Sequence, residues 1–332
     1  MKIVVDAMGG DYCPGEVVKG CVNAIKKYSN LNIVLVGIKE DIEKELQVLG
    51  YSGEQITIQN ASEVITCHDA PVEAIRTKKD SSLVKAFDFL KEDEESQALV
   101  SAGSTGAVLT GAFLKLGRIS GIKRPALAPL FPTVKGGEVV FVDAGANMDC
   151  TEFNLVQFAL MANAYMKYVK KIEKPRIALL NVGVEDEKGN ALVKKTFPLL
   201  KELDINFVGN VEARDVLSGE YDVIVCDGFD GNILTKSIEG AIFNLLDILK
   251  AEFTKNLKRK IGALLLKDAF KDMKKTFKLS EIGGAPFLGV NKLVIKAHGN
   301  SKAKNIEIAI KQAMDFIEAD LINKIKDTVS GE

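Results

Sequence analysis

Short runs that are apolar on both faces recur along the chain, at residues 3–5, 33–36, 56–58, 98–100, 139–142, 177–180, 207–208 and 223–225. They are rich in β-branched residues and do not alternate with polar ones. Strands of a parallel sheet covered by helices on both faces must read this way. Between them lie stretches with helical periodicity, for example 14–28, 41–49 and 151–169. Strand and helix in alternation predict an α/β chain of three layers, α/β/α. No internal repeat or low-complexity linker interrupts the pattern. The expectation is one compact α/β catalytic unit over 1–332, or two lobes around a cleft, with an amphipathic helical segment projecting at 250–278.

Most of the expected strands end in glycine and small polar residues. The sequences are DAMGGD at 6–11, SAGSTG at 101–106, DAGAN at 143–147, NVGV at 181–184, Gly209-Asn210 and DGFDGN at 227–232. Ligands of open α/β sheets bind at the carboxyl ends of the strands. Glycine lets backbone approach a ligand closely, and N–H groups at a following helix start favour an anion. Glycine also serves ordinary tight turns, but six such loops at one sheet edge point to a cleft that handles phosphate.

The chain has 332 residues, with 44 Lys and Arg against 45 Asp and Glu. This balance gives no support for bulk nucleic-acid binding. Five scattered cysteines without CxxC spacing argue against a disulfide framework or a zinc site, and suit a reducing cytosol. The N-terminal run is interrupted at Asp6, too soon for a signal peptide, and no run approaches the roughly 18 apolar residues of a membrane span. Neither GxGxxG after the first strand, GxxxxGK[ST] nor GxSxG is present. With two histidines in the chain, a histidine-based metal cluster is not expected, and no cofactor is.

His298 lies in KAHGNSK at 296–302, directly after a strand-like Leu293-Val-Ile, with a helical pattern starting near Ser301. A titratable group, a helix cap and Lys302 coincide there, which suits a phosphate cradle; a capped helix with a structural histidine is the plainer alternative. His68, in a loop beside a proline, is expected to be structural or to bind rather than catalyse. Asp143 with Asn147, and Asp227 with Asn232, either hold phosphate-binding lysines or close Asx turns. From 253 to 278 apolar residues (Phe253, Leu257, Ile261, Leu264, Leu265) are crowded by lysine and arginine. That pattern suits a membrane surface, an acidic partner or a dimer interface.

These blocks, in this order and over essentially the whole length, resemble the bacterial phosphate acyltransferase family, the acyl carrier protein to phosphate transacylases of phospholipid synthesis. The resemblance rests on VDAMGGD at 5–11, SAGSTGA at 101–107, VDAGAN at 142–147, GNVE at 209–212, VCDGF at 225–229, GGAP at 283–286 and VIKAHGNSKA at 294–303. The chain departs from it at Ser104, where the family commonly has asparagine, and at Ile282, where it has tyrosine. The resemblance implies an isocitrate/isopropylmalate dehydrogenase-like fold shared with phosphotransacetylases, and a homodimer. It implies acyl carrier protein and inorganic phosphate as substrates, and acyl phosphate as the product passed to a membrane-bound glycerol-phosphate acyltransferase. It also implies a cytoplasmic enzyme with weak peripheral contact to anionic membrane, for which Leu264, Leu265 and Leu266 are the expected contacts.

Inorganic phosphate is itself a nucleophile, so the expected contributions of the protein are positioning and oxyanion stabilisation. The expected catalytic residues are His298, Lys302 and Asn232. Asp6, Gly9, Gly10, Ser101, Gly103, Ser104, Thr105, Gly106, Asp143, Asn147, Asn181, Asp227, Gly228 and Ser301 are expected around phosphate and substrate. Arg118, Lys123 and Arg124 are candidates for docking the acidic carrier. A dehydrogenase on the related fold and a non-catalytic scaffold are the rival readings; the missing dinucleotide fingerprint counts against the first and the polar strand ends against the second.

Overall fold

A computed structural model describes residues 1–270 and 283–330. Its internal contacts divide the chain into two units. One comprises Met1–Pro129, Leu160–Lys174 and Glu281–Glu332, the other Leu130–Ala159 and Pro175–Ser280.

The first unit is built on a seven-stranded sheet. In chain order its strands are β1 (Lys2–Asp6), β2 (Asn32–Gly37), β3 (Ile56–Asn60), β4 (Ser96–Ser101), β5 (Ala126–Leu127), β11 (Gly284–Leu288) and β12 (Leu293–Ala297). Across the sheet they run β3-β2-β1-β4-β12-β11-β5. The first five in that order are parallel, and β11 is antiparallel to both its neighbours. Helices α1 (Gly15–Lys27), α4 (Ser82–Glu92) and α10 (Ala303–Glu318) cover it with their apolar faces. The periodicity that predicts a helix at 14–28 is the stripe Val17, Val18, Cys21, Val22 and Ile25, all buried. Gly20 lies against Ile306 and the carbonyl of Ala303, so α1 and α10 pack closer than any side chain would permit.

The second unit holds five strands: β6 (Leu130–Pro132), β7 (Glu138–Val142), β8 (Ile177–Asn181), β9 (Phe207–Glu212) and β10 (Val223–Val225). Their order is β6-β7-β10-β8-β9, all parallel but β6. Phe131 and Phe141 meet edge to face with centroids 5.1 Å apart, in a core shared with Val139, Ala178, Val211 and Ile224. Arg176 anchors one end of β8, its guanidinium forked onto Asp222 at 2.8 and 2.9 Å.

All eight apolar runs are strands of these two sheets, and each pairs in parallel with a neighbour. Strands β5, β6 and β11 are additions. They are short or carry Pro132 and Pro286, residues that read as strand breakers. Helix α6 (Glu152–Ala164) is followed by a π-helical turn over Tyr165–Val169, which together fill the predicted 151–169.

From β10 the chain enters α8 (Gly228–Thr254), 27 residues long. Its first turns are buried at Gly228, Gly231 and Thr235, but no later residue of the helix is. Helix α9 (Leu257–Leu265) has no buried residue. Leu264, Leu265 and Leu266 are 68%, 82% and 48% exposed, and the Phe253 ring meets Phe270 edge to face. Residues 271–278 of the expected amphipathic segment, and Ile282, lie outside the described residues. Among the described residues no helix is long and apolar enough to cross a membrane.

Candidate active site

In the first unit the loops that follow β1, β4 and β12 meet. Asp11 N–H donates to the Gly299 carbonyl at 2.8 Å. A side-chain carbon on Gly9 would fall 2.6 Å from Gly103 N, and one on Gly10 would fall 2.9 Å from the Gly299 carbonyl. Glycine is therefore what allows backbone to touch backbone here. Of the predicted residues, Asp6, Gly9, Gly10, Ser101, Gly103, His298, Ser301 and Lys302 come together in this one place. Ser104, Thr105 and Gly106 continue it into α5 (Thr105–Gly111), half-buried, with Gly106 against Pro71.

Beneath the loops lies a row of buried polar side chains. Asp6, Ser101 and Lys296 are in register across β1, β4 and β12, at the last turn of an otherwise apolar sheet. They are 2%, 1% and 9% exposed. Ser101 Oγ donates to Asp6 Oδ2 at 2.7 Å and accepts from Gly103 N–H at 3.1 Å. Met8 N–H donates to Asp6 Oδ1. Burial pushes the Asp6 carboxyl above the ordinary range, while hydrogen bonds from Ser82 and Ser101 and the Lys296 charge pull the other way. Lys296 Nζ donates to the Ala297 carbonyl.

His298 and Lys302 are both exposed, and the Lys302 ammonium lies 5.6 Å from the centre of the Tyr12 ring. Ser301 N–H donates to the His298 carbonyl, and Ser301 Oγ is buried without a hydrogen-bond partner among the described residues. The start of α10 is partly occupied. Ala303 N–H donates to Glu16 Oε2 at 2.7 Å, and Lys302 N–H to Asn305 Oδ1. A carboxylate of the chain itself thus holds one of the N–H groups expected to meet an anion.

The second unit has its own strand-end constellation. Asp143 is fully buried, and its Oδ2 accepts from Asn147 N–H at 2.7 Å and Asn147 Nδ2 at 2.8 Å. Ala146 N–H adds a longer bond. Here the carboxylate closes its own loop. Gly228 N–H donates to the Asn147 carbonyl, and a side-chain carbon on Gly231 would fall 1.9 Å from the Asp143 carbonyl. Asp227 caps α8 by accepting from Asp230 N–H at 2.8 Å. Asn232, one turn into α8, lies against Gly145. Asn181 is spanned by its own loop, accepting from Val182 N–H and donating to the Lys188 carbonyl. Asn210 Nδ2 donates to the Glu185 carbonyl, and the buried Asn210 Oδ1 has no hydrogen-bond partner among the described residues. Around these polar groups, large apolar side chains stand in solvent past the ends of β7, β8 and β10: Met148, Val182, Val184, Phe229 and Ile233.

His68 is exposed on a loop that Asp69 closes by accepting from Thr66 and Lys78. Arg118 donates to the Lys123 carbonyl and lies 5.2 Å from the Phe113 ring centre. Among the described residues no group of three His, Cys, Asp or Glu side chains is placed to hold a metal ion.

Three residues of these constellations are not among the expected site residues: Lys296, Ser82 and Glu16. Lys296 left a signal, a charge inside the apolar run LVIKA at 293–297. Glu16 left none, since its partner is 287 residues away.

Residues 1–324 match the family described as "Fatty acid synthesis protein". The chain is 50% identical over 329 residues to a phosphate acyltransferase of Clostridium novyi, covering 99% of this chain and 98% of that protein. Among solved structures it resembles a phosphotransacetylase from Streptococcus pyogenes, with a TM-score of 0.61 and 19% identity, over 96% of this chain and 94% of the other. It also resembles a 4-hydroxythreonine-4-phosphate dehydrogenase from Klebsiella pneumoniae, with a TM-score of 0.52 and 13% identity, over 95% and 97%. The last two likenesses are of fold: a three-layer α/β/α architecture.

Proposed function

On the premise that the chain belongs to the phosphate acyltransferase family, and so is an acyltransferase moving acyl groups to or from phosphate, we propose that it takes a fatty acyl group from acyl carrier protein onto inorganic phosphate. A phosphate oxygen attacks the thioester carbonyl, the C–O bond forms, and the C–S bond breaks. The carrier leaves as thiolate and takes a proton from solvent or from His298. The product, an acyl phosphate, is an activated donor for a membrane-bound glycerol-phosphate acyltransferase in phospholipid synthesis.

The observation that carries this reading is the meeting of the loops after β1, β4 and β12, where Gly9 and Gly103 bring backbone groups into contact beside a buried lysine. Such a site suits an oxyanion, which needs fixed donors more than side-chain chemistry. Within the second unit, the exposed apolar side chains Met148, Val182, Val184, Phe229 and Ile233 at the strand ends support an acyl substrate in preference to a wholly polar one. His298 and Lys302 are both exposed and able to meet substrate. Arg118, Lys123 and Arg124 form the carrier's landing site in this reading.

We further propose a homodimer with weak peripheral contact to anionic membrane, through the exposed stretch of α8 and α9. The exposed stripe of Leu257, Leu264 and Leu265 is too apolar for a merely solvated helix, and lysines and arginine flank it.

The deciding assay mixes the protein with palmitoyl carrier protein and inorganic phosphate and follows acyl phosphate, trapped with hydroxylamine. Phosphate-dependent formation of the hydroxamate is expected. Thioester consumption that ignores phosphate, or none at all, overturns the reading.

A further inference from the structure

The row Asp6, Ser101, Lys296 has no counterpart in the apolar pattern of the sheet. Val294, Ile295 and Ala297, the neighbours of Lys296 on β12, are buried apolar residues. A buried lysine whose only task is to face a carboxylate stabilises a fold little, because desolvation offsets the attraction. Its position is more telling than its pairing. Register places Lys296 beside Ser101, the residue from which the loop at 101–106 springs, and Ser101 in turn beside Asp6, from which the loop at 9–11 springs. The Lys296 ammonium donates to the Ala297 carbonyl and acts electrostatically on Asp6, so the positive charge lies near the origins of those glycine-lined loops, two residues before His298.

An anion held by those loops loses water, and a charge buried close by then acts through a low dielectric. We propose that Lys296 is a binding residue for the phosphate substrate, with Asp6 as a positioning residue that holds it and, through Ser101 Oγ, orients the Gly103 N–H. The inference rests on the phosphate acyltransferase reading and adds to it the charge that receives the phosphate. It explains why Asp6, though nearly inaccessible, sits at the origin of two loops. Its carboxylate touches Ser101 and Met8 N–H and acts through them.

The test is Lys296→Met, which keeps length and removes charge, with Lys296→Arg as the conservative variant and Asp6→Asn for the positioning role. Two readouts are taken: the thermal shift produced by inorganic phosphate alone, and the KM for phosphate separately from the KM for the acyl carrier. Loss of a charge-assisted bond is expected to raise the phosphate KM by about tenfold to a hundredfold. The carrier KM should stay as in the parent, the phosphate thermal shift should vanish, and Lys296→Arg should restore part of both. Asp6→Asn should raise the phosphate KM by a smaller factor. Should Lys296→Met fail to fold, the double variant Asp6→Asn with Lys296→Met, in which both charges are gone, carries the same measurement. Parental phosphate KM and thermal shift in the charge-free variant overturn the inference and leave the function standing. A parent enzyme that neither consumes phosphate nor is stabilised by it sinks both.

Discussion

Gly9→Ala isolates the convergence of the strand-end loops with one added carbon. The backbone of Gly9 lies outside the left-handed region, so alanine is conformationally allowed and only space decides. The new carbon would lie 2.6 Å from Gly103 N and 2.7 Å from Asp6 Oδ2, where ordinary contact begins near 3.4 Å. The Gly103 backbone must then retreat by about 0.8 Å, the difference between 3.4 and 2.6 Å. Neither neighbour is a flexible side-chain end: one is backbone, and the other is a buried carboxylate fixed by Ser101 and Met8. Overpacking of this kind costs about 1–3 kcal/mol. With an unfolding entropy of about 2.1 cal/mol/K per residue, each kcal/mol lowers the Tm of a chain of 332 residues by about 1.5 °C. The kinetic effect should be larger, since a shift near 1 Å in a positioning group can cost about a hundredfold in rate.

The matched control is Gly240→Ala, the same chemical change in the exposed stretch of α8, where an added carbon meets nothing within 4 Å. It should stabilise by about 0.5–1 kcal/mol, because alanine loses less backbone entropy in a helix. The assay is calorimetry with and without phosphate, together with steady-state kinetics in phosphate. The expected result is opposite signs in Tm and a raised phosphate KM in Gly9→Ala alone. A Gly9→Ala enzyme with parental Tm and phosphate KM would refute the claim that these loops form the site.

Replacing His298 or Lys302 with alanine should leave Tm nearly unchanged, both being exposed, while turnover falls by one to several orders of magnitude, as loss of about 2.7–4 kcal/mol of transition-state stabilisation implies; parental turnover in both would move the chemistry elsewhere. Leu265→Glu, at the most exposed leucine of the α9 region, should abolish sedimentation with anionic vesicles and spare soluble activity. Loss of dimerisation with vesicle binding intact would instead make this stretch an interface. Apparent affinity for the carrier should fall as salt rises, because screening weakens steering by Arg118, Lys123 and Arg124 beyond a Debye length of about 8 Å at physiological ionic strength, and a flat response would reject that landing site. On acidification, Lys78 beside Asp69, and Lys85 with Ser62 beside Asp80, hold both carboxyls down at about 2. Because the folded values lie below the ordinary value of about 3.9, these groups stabilise fully above about pH 4 and lose their contribution as pH falls toward 2. Asp69→Asn with Asp80→Asn should flatten that part of a Tm-against-pH curve, and an unchanged acid limb would show that the pairs contribute nothing.

What could be read without coordinates follows a physical division. Eight of the nine strands that pair in parallel were legible as apolar runs because most are buried on both faces, whereas the edge strands β3 and β9 expose Thr57 and Val208. Strands β5, β6 and β11 are short or interrupted by proline, and each depends on an antiparallel partner that no local pattern announces. The helix at 303–318 was legible from its period, yet the group that takes its Ala303 N–H is Glu16, on another helix near the opposite end of the sequence.

Asp6 and Asp143 show most clearly where reading stops. Both end an apolar parallel strand, and both open a loop of small residues, DAMGG and DAGAN. On sequence they are the same feature, open to the same two interpretations. In the fold the Asp143 carboxylate accepts from Ala146 and Asn147, three and four residues on, and these local partners were in view all along. Asp6 accepts from Ser101, 95 residues away, and faces Lys296, on the last strand of its sheet. A carboxylate that accepts from the N–H groups three and four residues on holds its own loop closed. One whose partners arrive from two other strands ties those strands' loops to a common origin, and that difference in contact distance along the chain separates a turn from the floor of a site.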